Sequence, residues 1–169
     1  MERLRRVSVA MAVILLITLF GSACSGRMLS DYRQKDFTAE VLLSDGTSDI
    51  KAQVIFKAPT DGCDRSVRMI FTSPETLSGI ALCEDGERYI TYDGIRIEKN
   101  GLEYLFEWLD VILPEGELRY IGKGIAEGVS TYNALVNDCS IYLDRSTCLP
   151  LRIEKESRTV VFERVETDK

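Results

Sequence analysis

Phe37-Thr38-Ala39-Glu40-Val41-Leu42-Leu43-Ser44, then Asp45-Gly46, then Ile50-Lys51-Ala52-Gln53-Val54-Ile55-Phe56-Lys57: this stretch decides the fold. Phe37, Ala39, Val41 and Leu43 fall on one side of an extended chain, and Thr38, Glu40, Leu42 and Ser44 on the other. Ile50, Ala52, Val54 and Phe56 repeat the pattern against Lys51, Gln53 and Lys57. A period of two with one apolar face is a half-buried strand. Asp-Gly between two such runs is a hairpin turn.

The pattern continues downstream. Ala58 to Gly62 is a loop rich in turn formers; Val67, Met69 and Phe71 mark a third strand. Ser73-Pro74-Glu75 turns the chain, Leu77 to Cys83 makes a fourth strand, and Glu84-Asp85-Gly86 turns it again. Arg88–Tyr92, Asp93-Gly94 and Ile95–Glu98 form a further hairpin. After Asn100-Gly101 the period changes. Leu102, Leu105, Phe106, Leu109, Ile112 and Leu113 lie on one face of a helix of about three turns, which Pro114 ends. Tyr104, Glu107, Trp108 and Asp110 lie off that stripe. Strands resume at Glu117 to Gly122. The Gly122-Lys123-Gly124 run through Gly128 lacks the ending of a phosphate loop and reads as a flexible connection. Residues 130–136, 139–143, 149–155 and 159–165 complete the set.

The expected fold is therefore mainly β, with about ten strands in a curved antiparallel sheet or incomplete barrel. One internal helix packs on its concave face. Phe37, Val41, Val54, Phe56, Met69, Phe71 and Leu82 point the same way on successive strands, towards Leu105, Phe106 and Leu109 of the helix. These ten residues are either the core or the lining of an apolar cavity, and the sequence leaves both open.

Upstream, residues 24–35 are mostly polar and read as a tether to a domain over 36–166. Before them, Arg3, Arg5 and Arg6 precede an apolar run from Val7 to Phe20, then Gly21-Ser22-Ala23-Cys24. A basic end, a short apolar middle and small residues are an export signal. About 14 apolar residues are too few to cross a bilayer comfortably. A cysteine directly after the small residues resembles a bacterial lipoprotein signal, with residues 1–23 removed and Cys24 lipidated. An ordinary secretory signal cut near Ala23 and an uncleaved anchor are the alternatives. Two or three acyl chains on Cys24 would hold the domain on the outer face of the cell membrane.

Composition narrows the chemistry. The 169 residues carry a net charge of −6, and loss of the arginine-rich signal makes the remainder more acidic. That argues against nucleic acid. The chain has no histidine, the commonest general base and metal ligand. No nucleophile motif is present, and the carboxylates lie mainly in turns and on outward strand faces. A non-enzymatic protein without metal or cofactor is expected. An envelope hydrolase using carboxylates is the enzymatic alternative. Cys63, Cys83, Cys139 and Cys148 allow three pairings. Cys63–Cys83, near the same end of the hairpin of the third and fourth strands, and Cys139–Cys148, flanking a second hairpin, are the expected pairs, against the alternative of four reduced thiols.

Four motifs carry a resemblance. They are Phe37-Thr38-Ala39-Glu40-Val41; Val54-Ile55-Phe56-Lys57-Ala58-Pro59 with Val67 to Pro74; the hairpin Asp85-Gly86-Glu87-Arg88-Tyr89; and Ile141 to Ile153, containing Asp144, Leu149-Pro150 and, where glycine is common, Cys148. Together they resemble the outer-membrane lipoprotein carrier superfamily, the LolA/LolB/RseB-like group. The resemblance implies an incomplete antiparallel barrel around a hydrophobic cavity. Within the group, the lipid signal and the Phe-Lys-Ala-Pro and Ser-Pro-Glu runs are most similar to clostridial lipoproteins of the GerS type. That implies a germination protein that binds a cell-wall amidase. The expected role is a membrane-anchored binding module for an envelope or spore-cortex protein; the alternative is a carrier of lipid or lipoprotein acyl chains.

Overall fold

In a computed structural model, residues 30–97 and 101–167 are described. The signal sequence and Cys24 lie outside them. The strands are β1 (Phe37–Ser44), β2 (Asp49–Lys57), β3 (Ser66–Ser73), β4 (Ile80–Glu84), β5 (Arg88–Tyr92), β6 (Ile95–Ile97), β7 (Arg119–Ala126), β8 (Val129–Val136), β9 (Cys139–Asp144), β10 (Pro150–Lys155) and β11 (Arg158–Glu166). One short helix, α1 (Glu107–Ile112), follows a 3₁₀ turn at Glu103–Phe106. The strands form one antiparallel sheet in the order β6-β5-β4-β3-β2-β1-β11-β10-β9-β8-β7. Two meanders thus join where β1 pairs with β11. The sheet is not closed: β6 and β7 are its free edges.

That order dictates where the helix must go. The link from β6 to β7 runs from one edge of the sheet to the other. A flat sheet of this width would be about 48 Å across. About twenty residues, half of them helical at about 1.5 Å each, barely span that distance. Curling the sheet brings its edges together and lets the link cross the concave side. Leu105, Phe106, Leu109, Ile112 and Leu113, the predicted apolar stripe, are buried there. They meet Phe37, Val41, Val54, Phe56, Met69, Phe71 and Leu82 in one continuous core. Within the same helical segment, Trp108 and Val111 are also buried, although Trp108 lies off the stripe. The cover is pressed into a concave surface, so it buries a wider arc than a helix lying on a flat sheet.

Three further differences have local causes. First, the fold begins before the alternating pattern. Asp31 caps a 3₁₀ turn at Tyr32–Gln34 through its side chain and the Arg33 N–H. Tyr32 is wholly buried, its ring against Phe37, and its hydroxyl donates to the Ile112 carbonyl at 2.6 Å. Residues 31–35 are therefore part of the domain and not tether.

Second, Gly122 to Ala126 belong to β7, paired with β8 and turned at Glu127-Gly128. Gly124 is required by this pairing, because a Cβ there would lie 2.7 Å from the Asn133 Nδ2 atom. The run is strand, not loose connection.

Third, no disulfide joins the described cysteines. The β9–β10 register rules out Cys139–Cys148. Cys139 opens β9 and Cys148 follows its far end, about 16 Å along an extended chain. A disulfide needs Cα atoms within about 7 Å. Cys148 instead closes the β9–β10 turn with φ +58°, and its N–H donates to the Asp144 carbonyl at 2.8 Å. The left-handed backbone explains why glycine suits that position.

Asp144 stabilises the same turn. Its Oδ1 accepts from the Ser146 hydroxyl and N–H and from the Thr147 N–H. These bonds, led by the Ser146 hydroxyl, lower its pKa. A carboxyl with a depressed folded pKa adds stability above its unfolded value of about 3.9, and loses it as pH falls through the folded value. In carboxyl NMR titrations, Asp144 should therefore titrate below an unstructured aspartate, and Asp144→Asn should flatten the stability profile below about pH 4. Separately, Tyr32→Phe leaves the buried Ile112 carbonyl unpaired. It should lower the unfolding free energy in urea by about 1–3 kcal/mol; an unchanged midpoint would show that the hydroxyl is not needed there.

Candidate functional site

Three surfaces qualify, and the first is the concave interior. All ten predicted lining residues come together there, and none is more than 6% exposed. Phe37 and Phe56 stack at 5.2 Å between ring centres. The interior is hydrophobic and fully covered where α1 and Tyr32 cross it.

Ion pairs hold the cover. Asp110 on α1 accepts from Arg88 of β5 at 2.5 Å, and Glu107 accepts from Arg158 of β11. After the helix, Arg33 donates to the carbonyls of Pro114 and Gly116, while Asp31 holds its guanidinium at 2.7 Å. Arg158 also lies over the Trp108 ring. The Arg88–Asp110 and Arg158–Glu107 pairs are half-exposed, so each contributes little, about 0–1 kcal/mol. The apolar stripe does most of the holding.

The second surface is an open polar depression of about 630 Å³, lined by Asp64, Arg65, Glu84, Glu87, Arg88 and Glu115 among others. Glu84, largely buried, sits between Arg65 at 2.8 Å and Arg88 at 2.7 Å. Arg88 is held protonated chiefly by Asp110. Every arginine here is already bound to carboxylate. The depression shares no residue with the predicted lining. It offers neither a histidine nor a hydroxyl or thiol beside a base, so it has no evident means of nucleophilic catalysis. Among the described residues there is no cluster of ligands able to hold a metal ion.

The third is the pair of sheet edges. With the exception of Tyr104, the exposed large apolar residues of the described chain lie there: Tyr92 and Ile95 at one edge; Tyr120, Ile121, Ile125 and Val129 at the other. The β6 edge is only three residues long, and its Arg96 is paired with Glu87 at 2.7 Å and stacked on Tyr89. Short, charged edges resist further pairing. The β7 edge is different. It has eight residues, exposed or half-exposed up to Ala126. A bulge near Ile121 interrupts it, and Gly122–Ala126 runs regularly from there. Tyr120, Lys123 and Ile125 share the concave face with Tyr132 of β8, which packs against the edge of the core. Tyr120 and Tyr132 meet edge to face at 6.0 Å, and Arg145 lies over Tyr132 at 5.5 Å. Sequence reasoning missed this cluster because Gly122 and Gly124 read as a loop. The alternation of Lys123 and Ile125 with Gly122 and Gly124 was the available signal.

No protein-family model matches the chain, and no curated protein matches it in sequence. Solved structures do. MucB is similar over 85% of this chain and 57% of its own, at 17% identity and a TM-score of 0.53. The chain thus spans just over half the length of MucB. An uncharacterised conserved protein from Thermus thermophilus is similar over 80% of both chains, at 14% identity and a TM-score of 0.53. A LolA superfamily protein from Nitrosomonas europaea is a more distant match, with 10% identity over 80% of this chain and 87% of its own and a TM-score of 0.39. The chain has the fold of MucB and of the Thermus thermophilus protein.

The ion pairs on the cover carry a direct expectation. Asp110→Asn combined with Arg158→Gln should speed amide exchange over residues 109–113 by about 2–10-fold and leave exchange in β1 and β2 unchanged. Equal exchange in both regions of variant and parent would show that packing alone holds the helix.

Proposed function

We propose that this chain is a non-enzymatic binding module of the cell envelope, held at the membrane by a lipid on Cys24, and that it binds a protein partner. One observation carries the reading. The concave interior is already occupied by α1 and Tyr32, while the exposed apolar side chains gather at the sheet edges. An edge with unpaired backbone groups and apolar side chains favours another polypeptide over a small molecule. The absence of histidine and the neutralised carboxylates of the polar depression support a role without catalysis. The resemblance to GerS-type lipoproteins suggests a cell-wall enzyme as the partner.

A lipid or lipoprotein carrier is the second reading, favoured by the wholly apolar interior. In that role α1 must lift, and its half-exposed ion pairs would be the release points.

The readings separate experimentally. The full chain should capture a specific envelope protein from native membranes, and native mass spectrometry in mild detergent should show no bound acyl species beyond the anchor. A stoichiometric bound lipid with no captured protein would contradict the proposal in favour of carriage. Cys24→Ser should move the protein out of the membrane fraction; retention there would refute the anchor.

A further inference from the structure

The charge on the β7 edge stands out against the rest of the surface. Most described cations are neutralised: Arg33, Lys51, Lys57, Arg65, Arg88, Arg96, Arg152, Lys155, Arg158 and Arg164 all pair with carboxylates. Of the remaining described cations, Lys35 donates to the Thr147 carbonyl, and Arg68 stands by itself on the outer face of β3. The others, Arg119, Lys123 and Arg145, form no ion pair among the described residues, and all three are exposed. They lie on β7 and on the turn whose Arg145 N–H donates to the Ser130 carbonyl of β8. Among the described residues, most of the cations without an ion pair therefore lie beside the long free edge of β7.

We propose that β7 accepts an extended acidic peptide segment of a partner protein as a twelfth strand. This rests on the protein-binding reading above and names its chemistry. The regular stretch Gly122–Ala126 supplies backbone donors and acceptors along the free side. On the concave face, Ile125, Tyr120 and Tyr132 offer an apolar and aromatic floor, with Lys123 and Arg145 beside it. On the outer face, Gly122 has no atom within 4 Å of its missing Cβ, leaving room for an incoming side chain. A strand alternating apolar and acidic residues satisfies the edge and the cations together. A second copy of this chain does not. Two-fold antiparallel pairing centred on Gly122–Ala126 sets the two Lys123 ammonium groups opposite or diagonal to each other on one face, which is repulsive.

The test uses the full chain in detergent and a labelled seven-residue peptide of alternating valine and glutamate, with anisotropy as the readout. The expected result is saturable binding that weakens with added salt and falls by at least about tenfold in Lys123→Glu, an exposed site where the fold should tolerate the change. The same peptide with lysine for glutamate should not bind. Nor should the glutamate peptide with alternate backbone nitrogens methylated, which keeps its charge but cannot pair as a strand. Equal binding of the methylated peptide, or equal binding by Lys123→Glu, would overturn the proposal. So would a Lys123-dependent affinity for phosphatidylglycerol vesicles without peptide binding, which would assign the cluster to lipid headgroups. If Lys123→Glu still captures the native partner from membranes, the β7 edge is not the contact, while the protein-binding reading stands.

Discussion

The link from β6 to β7 constrains everything else in this domain. The two strands are the opposite edges of an eleven-stranded sheet, and about twenty residues must join them. The sheet therefore curls, and the link crosses the hollow that curling creates. Because the link carries Leu105, Phe106, Trp108, Leu109 and Ile112, crossing the hollow also fills it. Tyr32 reaches the same place from the N-terminal side and ties its hydroxyl to the end of the helix at Ile112. Curvature, core and cover follow from one topological requirement.

The cover is short, and function follows from where it stops. One helix with a single preceding turn seals the middle of the concave face. Tyr120, Lys123 and Ile125 of β7 stay exposed beside unpaired backbone, while Tyr132 of β8 is half-buried against the core with Arg145 stacked across it. The same curved sheet thus presents an occupied interior and an open edge, and the two favour different kinds of ligand.

Much of this was legible in the residues, and the exceptions share a cause. Strict alternation in β1 and β2 marked the sheet, and the 3.6-residue spacing of Leu102 to Leu113 marked the helix, because both patterns are imposed by a nearby buried face. The ten apolar residues expected to converge do so. What failed to show were features fixed by distant contacts. Tyr32 lies in a polar segment and is buried only because the helix end is there to receive it. Gly122 and Gly124 look like a loop until Asn133 is seen to fill the place of a side chain. Cys139 and Cys148 flank one hairpin in sequence, yet the strand between them holds them apart. The uncompensated charge of Lys123 and Arg145 appears only once most other cations have found their carboxylates.

The central claim is that α1 keeps the concave interior closed to ligands, so that binding takes place outside it. Trp108, the sole tryptophan, is nearly buried within that cover and reports on it directly. Titrating the full chain with a brominated fatty acid, a short-range quencher of indole fluorescence, gives the test. The account predicts no saturable quenching of Trp108. Saturable quenching at one equivalent, relieved by an unbrominated fatty acid, would contradict it and place an acyl chain beneath the helix.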